Sequence, residues 1–167
     1  MKKILVSVTA ALVLPVGIVC AASPPELQEG LWSVRTQTIT NPGNKKDVGA
    51  FKICHSHAWD KSVEDLAKKM PGCTTVSESL GGGKYSSEAR CTVTNTVVLT
   101  KVTTTYQGNT VHVEAHTTYT PAFYGMSETM DIRDDKYEGS CPAGTQPGDT
   151  ITQDGTVIRN GTAIRKH

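Results

Sequence analysis

Two cysteines stand symmetrically about a run of three glycines: Cys73 and Cys91 each lie nine residues from Gly82, the middle of Gly81-Gly82-Gly83. Glycine takes positive φ without steric cost, which is what a tight hairpin turn demands. A β-hairpin turning there sets the two sulfurs opposite each other. An antiparallel fold, a local covalent staple and an oxidising compartment follow from that one pattern.

The first twenty-one residues read as a secretory signal peptide. Met1-Lys2-Lys3 is a basic start, Ile4 to Val19 is almost wholly apolar, and small residues follow at Ala21, Ala22 and Ser23. This order fits a cleaved leader. The apolar run is shorter than the ~20 residues a spanning helix needs, so the chain is not expected to span a membrane. Whether Cys20 carries a lipid stays open. The expected location is the periplasm or the exterior, as a soluble protein.

About 145 residues remain, enough for one core. They divide into a β-rich, disulfide-stapled domain over 22–141 and a polar tail over 142–167, with Asn160-Gly161 able to turn a small hairpin. Without Lys2 and Lys3 the 17 basic residues become 15 against 16 acidic. No basic stripe with interleaved aromatics survives, which sets nucleic acid aside as a partner. A monomer is the expected state.

Threonine and valine alternate with period two across the middle of the chain. Gly108-Asn109 supplies a two-residue turn. Around it Tyr106 falls opposite Val111, Thr104 opposite Val113, Val102 opposite Ala115 and Val98 opposite Tyr119, all on the buried face. Lys101, Thr103 and Thr105 fall opposite His116, Glu114 and His112 on the other. Further strands are read over Gly30 to Thr38 and Val48 to Cys54, joined through Asn41-Pro42-Gly43-Asn44. In a later strand Met126, Met130 and Ile132 share one face and alternate with Ser127, Thr129, Asp131 and Arg133. One helix is expected, where Trp59, Val63, Leu66, Ala67 and Met70 form an apolar stripe at helical period, ended by Pro71-Gly72. The fold class is mainly β: a curved antiparallel sheet or small open barrel with one short helix and two disulfides.

Once Cys20 is removed, four cysteines allow three pairings. The glycine symmetry favours Cys73–Cys91 and leaves Cys54–Cys141. With no C-x-x-C pair and no zinc spacing, structural disulfides are the reading, with no metal and no cofactor. His55 and His57, and the strand face holding His112, Glu114 and His116, are read as solvated polar groups. Asp131, Asp134 and Asp135 are read as exposed strand ends. The chain carries no G-x-S-x-G elbow, no H-E-x-x-H and no P-loop spacing around Gly81 to Lys84. No catalytic residue is assigned, and a non-catalytic protein is expected.

Gly30-Leu31-Trp32-Ser33-Val34 resembles the G-x-W-x-V opening of a family of small exported proteobacterial proteins described only as a domain of unknown function. That family continues with a strand ending in Cys, a short helix, a second Cys, a hairpin ending in a third Cys, and a closing G-x-C. The matching elements here are Phe51-Lys52-Ile53-Cys54, the helix from about Trp59, Cys73, Cys91 and Gly139-Ser140-Cys141. The chain departs from it in His55-Ser56, where Thr-Pro is usual, and in the tail after Cys141. The resemblance implies a periplasmic β-rich protein and no assigned activity.

A second stretch, Ser79-Leu80-Gly81-Gly82-Gly83-Lys84-Tyr85, is similar to the inhibitory loop of bacterial periplasmic lysozyme inhibitors. That likeness implies Ser79 and Lys84 facing catalytic carboxylates through a hydrogen bond and an ion pair. The second inhibitor motif, Tyr followed by Thr-Lys-Gly, is absent. The functional expectation is an exported protein that binds a small or lipid-like ligand, or a partner protein of the envelope. The lysozyme inhibitor, using the loop Ser79, Gly81, Gly82, Gly83, Lys84 and Tyr85, is the alternative.

Overall fold

A computed structural model describes residues 24–166, with the backbone alone at 78, 79, 165 and 166. The expected signal peptide and Cys20 lie outside the described residues. The chain forms β1 (Gly30–Asn41), β2 (Lys45–His55), α1 (His57–Lys68), β3 (Cys73–Gly81), β4 (Lys84–Val93), β5 (Thr96–Gln107), β6 (Thr110–Phe123) and β7 (Met126–Gly139). Three short strands follow: β8 (Thr150–Thr152), β9 (Thr156–Arg159) and β10 (Thr162–Lys166). All ten strands join one antiparallel sheet in the order β10-β9-β8-β2-β1-β7-β6-β5-β4-β3. Its two edges, β10 and β3, do not pair, so the sheet is open.

Turn chemistry sets the hairpins. The β5–β6 register is the expected one, with Tyr106 opposite Val111, Val102 opposite Ala115 and Val98 opposite Tyr119. At the β3–β4 turn Gly82 and Gly83 both take positive φ, +59° and +75°, as a two-residue turn of this kind requires. A bulge between Ser79 and Gly81 absorbs the odd residue and keeps Cys73 opposite Cys91. The disulfides are Cys73–Cys91 and Cys54–Cys141, with Cα separations of 4.0 and 5.8 Å.

Because β7 returns to pair with β1, five strands stand between β2 and β3 although the two are consecutive in sequence. Strand spacing makes that about 29 Å if flat. The segment between them, α1 with its flanks, spans it on one face, called inner here. Ser56 caps the helix by accepting a hydrogen bond from the Trp59 amide, 3.2 Å. Trp59 packs edge-on against His55, and His55 against Trp32, at ring separations of 5.4 and 6.1 Å.

Hydrophobic burial is thin and divided between two places. Trp32, Val34 and Val111 are buried on the inner face. Leu31, Ile151 and Val157 form a buried cluster on the outer face. Ile151 and Val157 are cross-strand partners on β8 and β9, so this second cluster exists because the C-terminal segment docks. Read as a polar tail without an apolar face, that segment instead extends the sheet from β2.

Two further expectations are corrected, and the inward face of β7, left open by the sequence, is settled. The apolar stripe of α1 is not a packing face, because Val63, Leu66 and Met70 are 45, 68 and 56 % exposed and no helix residue is buried. In β7 the polar alternation points inward: Asp135 stands opposite Val34 and Val111, while Met130 and Ile132 face outward with Gln37 and Ile39. The register is imposed by β1 and β6, and Tyr137 completes it against the Trp32 ring at 5.6 Å. Asp131 and Asp135 are therefore not exposed strand ends, whereas Asp134 is exposed on the outer face, within β7 rather than at its end. Arg133 donates two 2.7 Å hydrogen bonds to Asp135, and Asp131 accepts one of 2.5 Å from Thr38, which satisfies the inward carboxylates.

Candidate functional site

The C-terminal segment is fastened first at Cys54. Its sulfur bonds Cys141, its amide donates to the Asp149 carbonyl at 3.1 Å, and its carbonyl accepts from the Gly148 amide at 2.8 Å. Gly148 lies under the Trp59 ring, where a Cβ would come within 2.4 Å of the indole nitrogen. Asp149, 1 % exposed, receives two hydrogen bonds from Arg159, 2.8 and 2.6 Å, and closes the β8–β9 region.

Docked this way, the segment leaves a groove of about 590 Å³ against the outer face of β1 and β2. Leu31, Ala50, Pro142 and Ile151 supply its apolar lining. Arg35, Lys52, Glu138 and Gln153 supply the polar part. Two neighbouring clefts of about 360 and 520 Å³ open from the same region, and Arg35 lines all three.

The charges around the groove are mostly spoken for. Lys52 and Glu138 form an ion pair of 2.6 Å, and this bond with the ammonium holds the Glu138 carboxyl below the ordinary carboxylate range. Asp134 stands across the strands from Arg35, yet its carboxylate is turned to His112 Nδ1 at 2.7 Å. With Glu114 on its other nitrogen at 3.3 Å, His112 is raised above 6.5, first by the Asp134 hydrogen bond and then by Glu114. His116 is paired with Glu128. Among the described residues no group of three His, Cys, Asp or Glu side chains is placed to hold a metal ion.

The loop singled out in the sequence lies elsewhere. It is the β3–β4 turn at the open edge, separated from the β1–β2 groove by β5, β6 and β7. Lys84 and Leu80 are exposed there. Tyr85 is turned onto Tyr106, edge to face at 5.5 Å, and the Gly83 carbonyl accepts the Tyr106 amide at 2.9 Å. Burial, then Tyr85 and Asp60, push the Tyr106 hydroxyl up. The Ser79 side chain is outside the described atoms. The four cysteines take both expected pairings, but only Cys54–Cys141 borders the groove.

Sequence reasoning missed Arg35, Ala50 and Gln153. The only signal for Arg35 and Ala50 is the outward alternation in β1 and β2, and Gln153, just after β8, has none. The segment that makes a groove of that face has no regular period and folds by anchoring at Cys54. No helix among the described residues is long and apolar enough to cross a membrane. Residues 27–141 match a family described as "Protein of unknown function (DUF3617)". No curated protein and no solved structure matches the chain.

Proposed function

We propose, from the premise that the chain belongs to the DUF3617 family, that it is an exported, non-catalytic protein holding a small amphipathic ligand in the β1–β2 groove. The observation that carries this reading is the groove itself: about 590 Å³, apolar in its floor, with a few convergent polar groups. That is the size and chemistry of small-molecule sites. The basic start, apolar run and small residues before position 24, together with two disulfides, support export to an oxidising compartment. Glu138, kept ionised by Lys52, is poorly suited to shuttle protons, which favours binding over catalysis.

Native mass spectrometry of protein recovered from the cell envelope tests this. A small-molecule adduct is expected, lost when Ala50→Phe fills the groove while the fold, read by circular dichroism, persists. A bare polypeptide mass, unchanged by Ala50→Phe and by added amphiphiles, overturns the reading.

The exposed Leu80 and Lys84 at the β3–β4 turn favour a second reading, a lysozyme inhibitor acting through that turn. Undiminished lysis by c-type and g-type lysozymes at micromolar protein removes it.

A further inference from the structure

Resting on the groove reading above, we infer that the ligand is an amphipathic anion whose carboxylate or phosphate head is held by Arg35. Three clefts converge on this one side chain, which is exposed on the outer face. The other arginines flanking core positions are committed: Arg133 to Asp135 and Arg159 to Asp149, each through two hydrogen bonds. Arg35 forms no ion pair among the described residues, although Asp134 is its cross-strand partner and Glu138 lines two of the same clefts.

The reason lies in competition for those carboxylates. Asp134, directly across from Arg35 on β7, is drawn to His112. Glu138, farther along the same strand, is drawn to Lys52. Arg35, one of the residues lining the groove, is left with its planar fork of donors uncommitted to any carboxylate. A fork of this kind matches a carboxylate or phosphate two bonds at a time. Gln153, which lines two of the three clefts beside Arg35, adds a neutral amide donor at the same end. Leu31, Ala50, Pro142 and Ile151 then mark where the apolar part of the ligand lies.

The anchor comes from one part of the chain and the apolar wall from two. Arg35 and Ala50 fall within the family-matched residues 27–141, while Pro142, Ile151 and Gln153 fall after them. The head-group contact thus lies in the family-matched part, and the apolar lining is shared between that part, through Leu31 and Ala50, and the C-terminal segment, through Pro142 and Ile151.

Three ten-carbon probes test the assignment by isothermal titration at low salt: decanoate, decyl phosphate and decylamine. Wild-type protein is expected to bind at least one of the two anions about tenfold or more tightly than decylamine. Decanoate ahead of decyl phosphate identifies a carboxylate head, and the reverse order a phosphate. Arg35→Gln should abolish the preference while leaving decylamine affinity and the melting temperature unchanged. Decylamine binding as tightly as both anions, or an anion preference that survives Arg35→Gln, overturns the anionic head group but keeps the groove. Failure of every probe to bind overturns the groove reading and this inference with it.

Discussion

At the scale of single residues, charge placement distinguishes this protein from an ordinary half-buried sheet. Asp135 sits on the inner face with its side chain 4 % exposed, and its ion pair with Arg133 makes that tolerable. Replacing Arg133 with Met leaves a buried carboxylate unpaired. A fully buried pair would lose about 3–5 kcal/mol, but Arg133 is 39 % exposed and partly screened, so roughly 1–3 kcal/mol is expected by urea titration. Asp135→Asn, which keeps an acceptor and removes the charge, should cost less. His112 makes a pH-dependent contribution with a definite sign. Its folded-state pKa is raised above 6.5 by Asp134 and Glu114, so its stabilisation is complete below that value and is lost as pH rises through the folded-state pKa. The melting temperature of wild type relative to His112→Gln is therefore expected to be highest in mild acid and to fall towards alkaline pH. A constant difference across the range would remove the assignment.

Among the elements, α1 behaves least as its periodicity implies. An apolar stripe at helical spacing normally packs, yet Leu66 is 68 % exposed. Leu66→Ser is thus expected to change stability by no more than about 0.5 kcal/mol in chemical denaturation, as for an ordinary surface site. The helix is held by its Ser56 cap and by Trp59 over His55 and Gly148, so Trp59→Ala should cost far more than Leu66→Ser. The two disulfides differ in what they close. With sequence separations of 18 and 87, loop entropy assigns about 3 kcal/mol to Cys73–Cys91 and about 4.5 kcal/mol to Cys54–Cys141. Paired Cys→Ser variants compared in guanidinium should therefore rank with the Cys54/Cys141 protein less stable, and equal midpoints would contradict the loop argument.

For the whole molecule, the decisive contact is the one between the C-terminal segment and β2. It buries Ile151 and Val157 against Leu31, covers the edge of β2 and walls the groove. Truncation after residue 143 should expose that edge, lower the melting temperature and promote self-association, since an open strand edge is a template for pairing. Size-exclusion chromatography coupled to light scattering reads this directly. A truncated protein that stays monomeric and equally stable would show that the segment only decorates the sheet.

Antiparallel pairing at Gly108, the register and disulfide of Cys73 with Cys91 and the helix from about Trp59 follow from local rules, and Cys54–Cys141 then follows by elimination. Turn residues and period-two alternation act over a few neighbouring positions, so they can be read without knowing the rest of the chain. Which face of β7 turns inward could not be read this way, because Met130 and Ile132 are more apolar than Asp131 and Arg133 and the choice was made by β1 and β6. The exposure of the α1 stripe, the docking of residues 142–166 and the isolation of Arg35 from Asp134 and Glu138 were likewise decided in the tertiary structure. Each depends on a competition between groups far apart in sequence, for a burial surface or for a carboxylate, and only the assembled sheet brings those competitors within reach of one another.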